Sequence, residues 1–280
     1  MRLLTFMARR FVAGDCLLEA VAQVKRLNGQ GIKATLDNLG EECQNREQAL
    51  AARDEYVRML VCIAEEKLDC NVSLKLTQFG LGLDEGFCRE NLFRVLDEAR
   101  KCDNFVRIDM EGSGYTQKTL DLFRQARDYY PKVGIVIQAM LRRSEKDIAA
   151  LVGEGACVRL CKGAYKEPPE LAFPDKKDVN ANYDRLAAML LGAPNPAFAT
   201  HDDERIAAAA AQAERAGVAR GRFEFQMLYG LRARLWKELV AEGHVVRVYT
   251  PYGTHWFPYF YRRIRERKEN LLFVLRNFFE

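Results

Sequence analysis

The chain has 280 residues, enough for one barrel-sized domain and too few for two full-sized ones. Its 49% hydrophobic and 29% charged content is that of a globular protein, which excludes disorder as a global description. A formal net charge of +4 with scattered Lys and Arg does not point to nucleic acid, and no run of about 18 apolar residues exists to span a membrane.

A helix is predicted over Cys16–Leu27, inside a short N-terminal helical segment of about thirty residues. Strands and helices then alternate. The predicted strands are Ile32–Thr35, Val72–Leu76, Phe105–Asp109, Gly134–Gln138, Val158–Lys162, Phe198–Thr200, Phe223–Gln226 and Val245–Tyr249. The helices between them are Arg46–Lys67, Arg89–Arg100, Gln117–Tyr130, Glu145–Val152, Val179–Leu191, Asp203–Ala216 and Tyr229–Glu242, and Pro258–Phe279 closes the chain. Ser144 and Asp202 stand where N-caps belong, and Gly217 and Gly243 where helices stop. Eight strand–helix units predict a parallel sheet that closes on itself. The expected fold is α/β: a distorted (βα)8 TIM-like barrel, one domain over residues 1–280, with the last helix over the C-terminal rim. An open doubly wound sheet is the alternative, weakened because no GxGxxG follows the first strand. Glu167–Asp175, with three prolines, reads as an ordered loop.

The eight cysteines include no CxxC pair, and three histidines cannot complete a zinc pattern. The expectation is free thiols in a reducing cytosol and no metal. No signal-peptide pattern is present at the N-terminus.

In such barrels chemistry gathers at the C-terminal ends of the strands. Lys75, Asp109, Gln138, Arg159, Lys162, Thr200-His201, Gln226 and Tyr249 all fall on or beside those ends. Charge inside apolar strands is costly unless paired or used, and convergence of several on one rim favours a site. No acyl-transfer triad or glycosidase carboxylate pair is evident. Two chemistries stay open on the residues alone. Lys75 suits a Schiff-base lyase of the aldolase type. Arg159, Lys162 and Gln138 suit a flavin, whose pyrimidine edge gains charge on reduction.

The C-terminal stretch Tyr261-Arg262-Arg263-Ile264-Arg265-Glu266-Arg267-Lys268-Glu269-Asn270 resembles the Arg-Arg signature of the proline dehydrogenase family, in its single-function bacterial form. Thr35–Glu41, Val72–Leu76, Ile108–Glu111, Val136–Ala139, Arg159–Tyr165, Ala199–His201 and Arg247–Gly253 fit the same pattern in order. The resemblance implies FAD-dependent oxidation of L-proline to Δ1-pyrroline-5-carboxylate, the first step of proline catabolism. Hydride would pass from proline C5 to flavin N5, and electrons onward to a membrane quinone. It implies a cytoplasmic enzyme, peripheral at the inner face of the membrane, with a pyrroline-5-carboxylate dehydrogenase downstream.

Carried over by the same resemblance, Arg262 and Arg263 grip the proline carboxylate with two guanidinium forks, a geometry Lys does not reproduce. Lys75 supports that carboxylate beside Asp109. Tyr165 and Tyr249 shape the pocket, and Glu41 pairs with Arg262. Arg159 lies near the flavin's reactive nitrogen. Met110, Gln138, Lys162, Gly163, Ala164, Thr200 and His201 contact FAD, and Glu266 fits the pattern one turn beyond the arginines. Unaided, Tyr249 reads equally well as a packed aromatic, and His201 as a satisfied polar residue. The run Trp256–Phe260 reads first as packing against the barrel.

Overall fold

The computed structural model describes residues 10–40 and 42–256. Glu41, Arg262, Arg263, Glu266 and the predicted closing helix lie outside the described residues.

Short β-branched and apolar segments form the strands β1 (Lys33–Asn38), β2 (Cys70–Leu74), β3 (Val106–Ile108), β4 (Val133–Gln138), β5 (Cys157–Cys161), β6 (Ala197–Ala199), β7 (Glu224–Leu228) and β8 (Val245–Tyr252). All neighbours are parallel, and the order β1 to β8 closes into a barrel. The seam joins β1 to β8 from Lys33↔Arg247 to Asn38↔Tyr252. Helix α1 (Leu17–Asn28) precedes β1. Helices α2 (Arg46–Glu65), α3 (Glu85–Lys101), α4 (Thr116–Tyr129), α5 (Ser144–Gly153), α6 (Lys176–Leu190), α7 (Asp203–Arg215) and α8 (Ala233–Ala241) follow the first seven strands in turn.

Local chemistry sets the helix starts. Asn45, Asp84 and Asp202 each accept a hydrogen bond from a backbone N–H of the first turn they precede. Ser144 departs from its expected role. It is the first residue of α5, and its hydroxyl donates to the Gln138 carbonyl at 2.5 Å, so it ties the helix to the end of β4 instead of capping it. Helix α8 starts at Ala233, later than expected, because Gly230 and Arg232 hold left-handed φ angles of 76° and 55° and turn the chain first.

The strands present two unlike faces. Val72, Leu74, Val106, Ile108, Ile135, Val158, Leu160, Phe225 and Val248 are fully buried in one cluster with helix residues such as Leu60, Leu92, Phe123 and Tyr183. Each such side chain contributes ~2 kcal/mol by leaving water, and this shell is where the stabilising burial lies. The alternate positions are polar. Thr35 donates to Asn71 at 2.5 Å, and Arg107 donates to the carbonyls of Ile135 and Cys157 at 3.2 and 2.7 Å. A Cβ on Gly134 would come within 2.5 Å of Arg107 Nη1, so glycine there makes room for the guanidinium. Near the N-terminal ends of the strands Arg247 grips both oxygens of Glu224, at 2.8 and 2.9 Å. The eight cysteines are unpaired, and burial pushes the Cys70 thiol up to about 12. No helix among the described residues is long and apolar enough to cross a membrane.

Candidate active site

Lys75 lies one residue beyond β2, and its ammonium enters the C-terminal mouth of the barrel. It meets Asp37 Oδ1 at 2.8 Å, Tyr249 Oη at 3.4 Å and Asp109 Oδ2 at 3.8 Å. Asp37 comes from β1 and Asp109 follows β3 directly. Burial opposes the charge on Lys75, but Asp37 and Asp109 outweigh it and hold the amine above its ordinary value. Burial likewise raises Asp37, with Lys75 opposing and Asp109 reinforcing the rise. Tyr56 donates to Asp37 Oδ1 at 3.2 Å and to the Ser73 carbonyl at 2.8 Å, while Asp37 Oδ2 is buried without a donor among the described residues.

Arg159, 5% exposed, crosses the barrel from β5. Its Nη1 donates to Asp109 Oδ1 at 2.9 Å and to Ser73 Oγ at 3.1 Å; its Nε donates to Gln226 Oε1 at 2.6 Å. Ser73 in turn donates to Asp109 at 2.6 Å. Tyr249 donates to the other Asp109 oxygen at 2.8 Å, and its ring lies 5.4 Å under the guanidinium carbon. Arg159 Nη2 is buried and has no acceptor among the described residues. A buried guanidinium nitrogen left open beside a fixed carboxylate is a donor held ready for a ligand.

Around this cluster the strand ends carry a second ring of polar groups. Gln138 is buried and donates to the Glu111 carbonyl at 2.8 Å. The Glu111 carboxylate accepts from Thr77 N at 3.0 Å and from the Thr77 hydroxyl; burial raises it. Met110 is buried beside it. Lys162 pairs with Asp202 at 2.5 Å, and half-burial lowers the amine despite that partner. Asp202 N donates to Thr200 Oγ1 at 3.1 Å, and His201 Nε2 accepts from Leu228 N at 2.9 Å. Gly163 has φ of 108°, and a Cβ there would meet Met140 Sδ at 2.4 Å, so the backbone turns sharply after Lys162. Ala164 is exposed, and Tyr165 packs half-buried against Met140, Leu141 and Ala172.

A family model described as proline dehydrogenase matches residues 20–276. The chain belongs to the proline dehydrogenase family. It is 44% identical over 270 residues to "Proline dehydrogenase 1" of Bacillus subtilis (strain 168), covering 96% of this chain and 89% of that one. It is 38% identical over 276 residues to the proline dehydrogenase of Deinococcus radiodurans, with the same coverage. Among solved structures, the proline utilization A protein of Bdellovibrio bacteriovorus, inactivated by N-propargylglycine, superposes with a TM-score of 0.90 at 27% identity. That match covers 96% of this chain and 33% of the larger one, so it concerns one part of a longer protein. The chain is therefore an enzyme of the proline dehydrogenase family on a barrel.

Of the residues expected to meet, Lys75, Asp109, Arg159 and Tyr249 are joined by direct contacts. Lys162 and Thr200 gather instead around Asp202. Glu41, Arg262 and Arg263 lie outside the described residues. The sequence gives Asp37, Ser73, Tyr56 and Glu111 no role, and Asp202 only that of a helix cap, not of a partner to Lys162. Asp37 was missed because β1 was expected to end at Thr35, whereas its pairing with β8 carries it to Asn38. A period-two count from Thr35 would have put Asp37 on the inward face.

Proposed function

We propose that the rim cluster is the site where FAD and L-proline meet, within a single domain spanning residues 1–280. The observation that carries this is Arg159: buried, fixed through two of its nitrogens, with Nη2 free of any acceptor among the described residues. A cation with one unfilled donor suits the edge of a flavin that gains negative charge on reduction. Gln138 and the Lys162–Ala164 turn would line the ring, with Met110, Thr200 and His201 completing the contact. The chemistry a bound flavin supplies is acceptance, at N5, of a hydride from proline C5, with Δ1-pyrroline-5-carboxylate as product.

The residues of this chain do the rest by position and charge. Lys75 stays an ammonium between Asp37 and Asp109 and supports the substrate carboxylate, which Arg262 and Arg263 would grip in bidentate fashion. Glu41 would pair with Arg262 and Glu266 would stand one turn on. Tyr249, fixed on Asp109, and Tyr165 would enclose the proline ring and exclude water. Asp109 fixes both Arg159 and Tyr249, so one carboxylate orients a cofactor contact and a pocket wall together.

A Schiff-base reading of Lys75 fits poorly, since imine formation needs a neutral amine and its two carboxylate neighbours favour the ammonium. A membrane quinone is the proposed electron acceptor, met during peripheral contact with the inner face of the cytoplasmic membrane. A pyrroline-5-carboxylate dehydrogenase would consume the product. The visible spectrum of the purified protein tests the central reading. Flavin bands that bleach on adding L-proline are expected; a folded, colourless protein that takes up no FAD would overturn it.

A further inference from the structure

The barrel axis carries a connected line of hydrogen bonds from the floor to the rim. Arg247 donates through Nη1 to the Ala34 carbonyl at 2.7 Å and through Nε and Nη2 to both oxygens of Glu224. Glu224 Oε2 also accepts from Gln226 Nε2 at 2.9 Å, and Gln226 Oε1 accepts from Arg159 Nε at 2.6 Å. Glu224 and Gln226 are two residues apart on β7 and so share its inward face. Between β5 and β7 the registered positions on β6 are Ala197, opposite Arg159, and Ala199, opposite Gln226. These small residues leave the space through which Arg159 reaches across one whole strand.

The ends of this line have fixed polarity. A guanidinium only donates, and an ionised carboxylate only accepts. The Gln226 amide has two orientations related by a half-turn, and one of them faces Glu224 with its oxygen and Arg159 with its NH2 group. That orientation sets acceptor against acceptor and donor against donor, so it is excluded while Glu224 is ionised. Burial alone would raise Glu224, but Arg247 overcomes it and brings the carboxyl down to about 2.

We infer that Glu224 and Gln226 are positioning residues for Arg159: the Arg247–Glu224 pair locks the Gln226 amide, and the locked amide oxygen holds the guanidinium so that Nη2 is the nitrogen without an acceptor among the described residues. The floor of the barrel thereby fixes the geometry of its mouth. The effect on the cofactor rests on the flavin reading above, whereas the effect on Arg159 itself does not.

Three variants of the holoenzyme test this. Gln226→Met removes the link and leaves the Arg247–Glu224 pair in place, and is expected to fold. Glu224→Gln frees the amide to turn. The exchange Glu224→Gln with Gln226→Glu keeps one alternating order at unchanged net charge, from Arg247 Nη2 to the amide oxygen at position 224, from its NH2 to the carboxylate at position 226, and from Arg159 to that carboxylate, while the Arg247 Nε bond is lost. Gln226→Met should weaken FAD retention about tenfold, the worth of one hydrogen bond to a charged group. It should also shift the flavin midpoint potential, and a crystal structure should find Arg159 Nε turned from its native direction. The exchange should recover the Arg159 direction and at least part of the FAD retention. A folded Gln226→Met protein with native Arg159 geometry overturns the inference whether or not flavin is present. Wild-type potential and retention in that variant do the same, as does an exchange variant that folds yet recovers nothing. A colourless wild-type protein would instead overturn the flavin reading, and the Arg159 geometry would still decide this one.

Discussion

At the floor of the barrel Glu224 receives two short bonds from Arg247 and a third from Gln226. At the rim Asp37 shares Lys75 with Asp109 and keeps Oδ2 without a donor among the described residues. Both clusters are largely buried, and their carboxyls shift in opposite directions: Glu224 down to about 2, Asp37 up. The floor is an ion pair whose hydrogen-bonding capacity is filled, which is the condition under which a buried pair is tolerated. The rim is left partly unfilled, and such groups persist where a ligand completes them. Stability should therefore respond to floor substitutions and activity to rim substitutions.

The largest break in this contrast should come from Lys75→Met. We predict a fall of about 10³-fold in kcat/KM, on the scale of losing a preorganised charge contact. Flavin content should stay near wild type, and the thermal midpoint should fall less than for Arg247→Met because Asp37, already raised by burial, can take up a proton; steady-state kinetics with the visible spectrum decide it, and near-native kcat/KM would remove Lys75 from the site. Arg247→Met should do the reverse. It strands Glu224 in the interior and should cost about 3–5 kcal/mol in denaturant unfolding at pH 7. The pH dependence has the same origin. Because Glu224 is lowered from 4.5 to about 2 in the folded state, its contribution of about 3 kcal/mol is present above pH 4.5 and lost as pH falls towards 2. Glu224→Gln should flatten that limb of the acid unfolding curve. Asp37, being raised, acts in the opposite sense: its contribution is present below 3.8 and lost as pH rises through its folded value.

Arg263→Ala, next in size, should raise the KM for proline about 100-fold with flavin content unchanged, the loss expected for a charge-assisted fork on a carboxylate. A wild-type KM would remove Arg263 from the carboxylate site. The smallest effect is expected for Asp37→Asn. It ends the repulsion with Asp109 but also removes a partner of Lys75, so unfolding free energy at pH 7 should change by less than about 1 kcal/mol. KM should rise a few-fold as Lys75 loses its nearest anchor, and a large loss of stability would mean that Asp37 belongs with the floor.

The barrel was legible because β-branched runs recur between helical stretches, and strand period and helix period are both local properties of sequence. Charged residues in apolar runs, such as Lys75 and Arg159, announce themselves for the same reason. What is not local was missed. Asp37 is inward only because the seam with β8 extends β1 beyond Thr35. Ser73 and Tyr56 are ordinary residues until a neighbour on another element turns to them. Asp202 was read as a helix cap, and it is one, but it is also the partner of Lys162. A side chain with two partners is half visible when only one lies nearby in sequence.

The seam also governs when the enzyme can come into being. Arg247 reaches the carbonyl of Ala34, 213 residues earlier. On a ribosome adding about 5–20 residues each second, β8 follows β1 by roughly ten to forty seconds. Through that interval β1 and whichever strand was made last, finally β7, are open edges that invite intermolecular pairing. Asp109 lacks Tyr249, and Arg159 has Gln226 without the arginine that steadies it. Closure is then a late, non-local event in assembly, and the rim cluster is completed by β8 instead of accumulating along the nascent chain.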